Sequence, residues 1–152
     1  MLNTKEIIAK YGEPGDKHLV TLILPYPMRI AWDTKFTVKT VKCHNKIAAN
    51  LMFVFQDLLD HYGIEKIKEL GIDLFGGIYN YRKMRGGSDW SRHAWGIAID
   101  LDPARNGLKV KKPKAQFSKD EYKPMIDIFY KYGFLSYGRE KNYDWMHFET
   151  AE

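Results

Sequence analysis

The chain has a single cysteine, Cys43, among its 152 residues, so no internal disulfide is possible and the fold rests on its core alone. A chain of this length buries enough surface to fold without staples or a partner, and one monomeric domain over residues 1–152 is expected. No apolar run approaches the roughly 18 residues of a membrane-crossing helix, which excludes insertion by that route. The first residues, MLNTKEIIAKYGEPGDK, lack the continuous apolar stretch and small-residue cleavage site of a secretory signal. Synthesis in the cytoplasm without a signal peptide is therefore expected. A buried, inert thiol is the expectation for Cys43. There is no internal repeat and no low-complexity tract.

Acid is in deficit: 24 Lys and Arg against 19 Asp and Glu give a formal charge of +5, which favours an anionic partner. Nucleic acid would satisfy the charge, but no nucleic-acid-binding motif accompanies it, and none is expected as a partner. The densest basic run, Lys109 to Lys114 (KVKKPK), reads as a solvated loop.

Patterning gives the elements. Asn3 and Glu6 form a capping box for a short helix that Gly12 ends. His18 to Leu24 reads as a strand halted by Pro25 and Pro27, and another extended piece covers Phe36 to Val41. Ile47, Leu51, Val54 and Leu58 mark a helix from about Asn45 to Tyr62 with Gly63 as its cap, followed by a short helical stretch from Ile64 to Leu70. A strand-like segment runs from Ile72 to Tyr81. Ser118 and Glu121 suggest a second capping box ahead of an amphipathic helix ending near Gly133, and Asp144 to Glu149 reads as a strand. Without regular βαβ alternation, the pattern predicts an α+β domain with a small, mainly antiparallel sheet flanked by helices.

Chemistry concentrates in Tyr81 to Pro103, YRKMRGGSDWSRHAWGIAIDLDP. After Gly96, strand alternation puts Ile97, Ile99 and Leu101 on one face and Ala98, Asp100 and Asp102 on the other. His93 could return toward Asp100 through a turn at Gly96. Near the C-terminus, Asp144-Trp145-Met146-His147 adds a second imidazole and a further carboxylate. Two imidazoles and a carboxylate suit one Zn2+ ion with a fourth position open to water, so His93, Asp100 and His147 are candidate ligands. Asp144 is then the candidate general base, taking a proton as water attacks an amide carbonyl. Arg82 or Arg85 could stabilise the charge that builds on that carbonyl oxygen or clamp a substrate carboxylate, and the Ser91 hydroxyl could also hold substrate. Asp102 and Glu149, each two residues from a proposed ligand, are candidates to orient it. His18, His44 and His61 fall outside the pattern and read as surface or satisfied interior histidines.

SRHAWGIAIDLDP together with DWMHFE resembles the zinc peptidases of the D-alanyl-D-alanine carboxypeptidase and L-alanyl-D-glutamate endopeptidase family, in which Ser-x-His-(x)6-Asp precedes an acidic residue three before a final His. Ser91, His93, Asp100, Asp144 and His147 fill those positions, and Gly96 and Ala98 fill the small ones between the first two ligands. The resemblance implies zinc on His93, Asp100 and His147, Asp144 as catalytic base, and Arg82 in the Tyr-Arg position that binds or polarises substrate. It also implies a hedgehog-like fold with the metal on the sheet. Asp rather than Glu at 144 is similar to the branch holding bacteriophage lysis endopeptidases. The function implied by this resemblance is that of an endolysin-like metallopeptidase acting on bacterial peptidoglycan after its release from the cytoplasm, with L-Ala–D-Glu as the expected bond. A D-Ala-D-Ala carboxypeptidase and a non-catalytic, metal-stabilised wall-binding module are the alternatives.

Overall fold

The computed structural model describes all 152 residues. Helix α1 spans Thr4–Tyr11 and begins with the expected capping box: the Asn3 side chain accepts the Glu6 N–H at 2.8 Å, and the Glu6 carboxylate accepts the Asn3 N–H at 3.1 Å. It buries Ile7 and Tyr11 and stops at Gly12.

Strands β1 (Leu19–Ile30) and β2 (Asp33–His44) form a long antiparallel hairpin. The prolines do not halt β1, contrary to expectation. Pairing with β2 jumps from Ile23↔Thr40 to Met28↔Val38, so Pro25 and Pro27 lie in a bulge where no ladder hydrogen bond is asked of them. On the outer edge, β2 exposes Lys35, Lys39 and Lys42, charges that discourage pairing with another chain.

The two helical stretches predicted on either side of Gly63 are joined into α2 (Ala48–Leu70), kinked where Gly63 takes φ 75° and ψ 159°. The helix starts at Ala48 rather than Asn45, and its apolar stripe, Leu51, Val54, Phe55 and Leu58, packs into the core. At its far end Gly71 adopts the left-handed conformation that closes the last turn.

Four shorter strands complete the sheet: β3 (Leu74–Gly77), β4 (Ala98–Leu101), β5 (Phe134–Ser136) and β6 (His147–Thr150), in the order β2-β1-β3-β4-β6-β5. The sheet is mixed, which corrects the mainly antiparallel expectation. The chain crosses from the hairpin through α2 and re-enters at β3 parallel to β1, with Arg29 opposite Leu74 and Ile30 opposite Phe75. A two-pronged ion pair secures this entry, Arg29 Nε and Nη2 each 2.8 Å from a carboxylate oxygen of the fully buried Asp73.

Helix α3 (Lys123–Lys131) starts without the predicted Ser118 cap: the Ser118 hydroxyl instead donates to Ala115 O at 2.6 Å within a short 3₁₀ turn. Its Phe129 stacks on Phe148 of β6 at 4.1 Å between ring centres, so the odd residues of β6 face away from this core. A short helix α4 (Tyr137–Lys141) leads toward β6. The KVKKPK run lies in the exposed connection between β4 and α3, as expected of a solvated loop. No helix is long and apolar enough to cross a membrane.

Candidate metal centre

Register builds the site. In the antiparallel pairing of β4 with β6, Asp100 stands directly opposite His147, and the alternation that sends Ile99, Leu101 and Phe148 into the core turns both toward the other face. His93 comes from a 3₁₀ turn, Arg92–Trp95, that ends at Gly96 with φ 70°, the reversal predicted at that glycine. The Ser91 hydroxyl caps this turn by accepting the His93 N–H at 3.3 Å, so Ser91 helps hold His93 while also lining the cleft.

One donor atom from each of His93, Asp100 and His147 lies within 4.8 Å of the others. His93 Nε2 is 3.2 Å from Asp100 Oδ2, and His147 Nδ1 is 3.2 Å from Asp100 Oδ1. Tetrahedral zinc with bonds of about 2.0–2.1 Å places its ligand atoms roughly 3.3 Å apart, close to these separations.

Each imidazole is oriented by its other nitrogen. His93 Nδ1–H donates to Ile78 O at 2.7 Å, leaving Nε2 with a lone pair facing the cluster. That Nε2 is buried and has no hydrogen bond of good geometry, although Asp100 is close. A buried polar atom left unpaired costs about 1–3 kcal/mol, and a metal ion would satisfy it. His147 Nε2–H donates to Glu149 Oε1 at 2.9 Å, leaving Nδ1 toward Asp100. The donor set, its spacing and the orphaned nitrogen all fit a borderline cation such as zinc.

Electrostatics agree with a site short of positive charge. Burial works against ionising Asp100, but the hydrogen bond with His147 and the proximity of both imidazoles override it and hold the carboxyl well below the usual range. Burial likewise opposes a charged His147, yet Asp100 and Glu149 push its pKa up to about 9.

Asp144 is the next carboxylate out, its Oδ2 4.0 Å from His147 Nδ1. Its backbone is left-handed, φ 51°, and its N–H is tied to Leu108 O at 2.8 Å. Burial raises its pKa, as does nearby Asp100, with the two histidines and Arg82 pulling the other way. A carboxylate made more basic than usual suits proton transfer.

The cluster lies in a cleft of about 640 Å³, and Arg82, Arg85, Ser91 and Asp144 line it with His93, Asp100 and His147. Arg82 and Arg85 are both exposed, and Arg82 is the one whose charge reaches Asp144. Of the two residues expected to orient ligands, Glu149 contacts its neighbouring histidine, 2.9 Å from His147 Nε2, and Asp102 contacts none of the three. Asp102 leaves the strand with φ 45° and binds Arg105 instead, 2.7 Å from its Nε. Two cleft residues escaped the sequence reading. Tyr137, on α4, packs with its ring 4.3 Å from that of His147 and tilted to it, and its hydroxyl is held in the neutral form by burial and by Glu149. Arg92, next to the first ligand, donates to Leu2 O at 3.0 Å and ties the N-terminal residues to the cleft wall. Neither belongs to a recognisable motif; Arg92 could have been suspected only from its place beside His93.

No curated protein sequence matches the chain. A family model described as D-alanyl-D-alanine carboxypeptidase matches residues 85–150, less than half of the chain but a stretch that holds all three candidate ligands, Ser91, Asp144 and Glu149.

Proposed function

We propose that this chain is a zinc-dependent peptidase of bacterial peptidoglycan that hydrolyses an amide bond of the stem peptide, L-Ala–D-Glu in our reading. The observation that carries the proposal is the convergence of His93, Asp100 and His147 in one cleft with a fourth acid, Asp144, 4.0 Å from His147 and not needed as a ligand. A wall-binding module that kept metal for structure would have no use for such a base. Likeness to the carboxypeptidase family over residues 85–150 supports the peptidase class.

In this reading His93 Nε2, Asp100 and His147 Nδ1 hold the ion, which supplies Lewis acidity toward water and the scissile carbonyl. Asp144 receives the proton of the attacking water and returns it to the leaving amine. Arg82, on the exposed wall, stabilises the negative charge that develops on the carbonyl oxygen, and Arg85 and Ser91 contact the substrate chain. The Asp at 144 favours the endopeptidase branch, endolysin-like and acting on the wall after release from the cell. The arginines and the family description keep the D-Ala-D-Ala carboxypeptidase as the second reading, since a fork of donors suits a terminal carboxylate.

Chelator and add-back test the proposal. Removing metal should abolish release of soluble fragments from purified peptidoglycan, and zinc should restore it. Undiminished release by the fully stripped protein would overturn the metal-dependent reading.

A further inference from the structure

We propose that Glu149 and Tyr137 are positioning residues that select Nδ1 of His147 as its ligating nitrogen and thereby set metal affinity; the inference rests on the metal-site reading above. The two ring nitrogens of a free imidazole compete for the same role, and something must choose between them. For His93 the chooser is main chain, Ile78 O at 2.7 Å. For His147 it is a side chain, Glu149 Oε1 at 2.9 Å from Nε2. A carboxylate can only accept there, so Nε2 carries the proton and Nδ1 offers its lone pair.

Glu149 follows from the same strand alternation as His147, since both are odd residues of β6 and share a face. It is 1% exposed, and a carboxylate so deeply buried needs partners beyond one imidazole. The Tyr137 hydroxyl and the Arg92 guanidinium are near enough to help stabilise its charge. Tyr137 also restrains the imidazole itself: its ring lies 4.3 Å from that of His147, tilted by 43°, and Lys141 Nζ stands 4.2 Å from its centre. The phenol is thus held between the ligand and the cleft rim. It acts through His147 and Glu149, and neither Tyr137 nor Glu149 is needed as a ligand.

Partners that orient a ligating histidine change metal affinity by about 10–100-fold when removed. Zinc affinity, measured by competition with a chromophoric chelator, should therefore fall by that factor in Glu149→Ala. It should recover most of the way in Glu149→Gln, whose amide oxygen still accepts from Nε2–H, and fall severalfold in Tyr137→Phe, which keeps the ring. Thermal unfolding of each variant establishes that it is folded. Nitrogen-15 spectra of histidine-labelled, zinc-loaded protein should show His147 protonated at Nε2. A folded Glu149→Ala that binds zinc as tightly as the parent would overturn the proposal, as would a His147 ligating through Nε2. If Glu149→Ala does not fold, unchanged affinity in Tyr137→Phe, together with a His147 not protonated at Nε2, overturns it. A parent protein that binds no zinc would instead remove the metal-site reading on which the proposal stands.

Discussion

Asp144 and His147 sit three residues apart, yet deleting them should have different consequences. His147→Ala or His93→Ala removes a proposed ligand, so both metal content and turnover should disappear. Asp144→Ala deletes only proton transfer, so zinc should stay while turnover drops about 10²–10⁴-fold. Metal analysis beside single-substrate kinetics separates the two, and an Asp144→Ala enzyme of undiminished rate would end the base assignment. Arg82→Ala should slow turnover without releasing metal, because its charge reaches Asp144 but it bonds to no ligand. Unchanged kinetics in that variant would transfer the role to Arg85. At this scale the sequence was most informative: the types and order of the candidate ligands and the turn at Gly96 could be read from two stretches, Tyr81 to Pro103 and Asp144 to Glu149. Tyr137 could not, because an aromatic residue at the start of a short helix carries no sign of what its hydroxyl faces. Cys43 behaves as expected, fully buried with its thiol pushed up to about 12 by burial, and should resist alkylation in the folded protein.

Elements convert those residues into a site, and the turn ending at Gly96 is the one on which most depends. A Cβ there would stand 2.6 Å from Leu19 Cδ2 and 3.0 Å from His44 N, at a φ of 70° that side chains rarely adopt. Gly96→Ala should cost about 1–3 kcal/mol in urea unfolding and weaken zinc binding by displacing His93. Wild-type stability and affinity together would show that the turn tolerates a side chain and does not fix the ligand. The pairing of Asp100 with His147 was beyond the sequence, since alternation gives a residue's face but not the register between strands. Strand ends escape local patterning for a related reason. Proline breaks a strand only where its missing N–H is wanted, and whether it is wanted at Pro25 and Pro27 depends on a bulge set by the partner strand.

Over the whole molecule, the α+β class and the helices were legible because hydrophobic periodicity reports burial, whereas the parallel β1–β3 pairing arises from a crossover that no local pattern encodes. His44, the one buried histidine away from the cleft, supplies a test of the packed fold. His44 is 2% exposed, its Nε2–H donates to Tyr11 O at 2.9 Å, and burial lowers its pKa from the ordinary 6.5. Below about 6.5 the unfolded chain therefore takes up a proton that the folded protein resists, and His44 contributes a loss of stability as pH falls. The stability gap between the parent and His44→Asn should accordingly narrow from pH 7 to pH 5.5. A gap that widens would place a charged His44 in the folded state and contradict the packing.

The proposed activity is hydrolysis of a stem-peptide amide at a metal held by His93, Asp100 and His147. Mass spectrometry of purified peptidoglycan digested by the zinc-loaded protein, with Asp144→Ala as control, reads the new chain ends directly. The account predicts new L-Ala carboxyl and D-Glu amino ends that are absent from the control. Loss of terminal D-Ala alone would make the enzyme a carboxypeptidase, and no new ends on walls of several types would contradict the peptidase account.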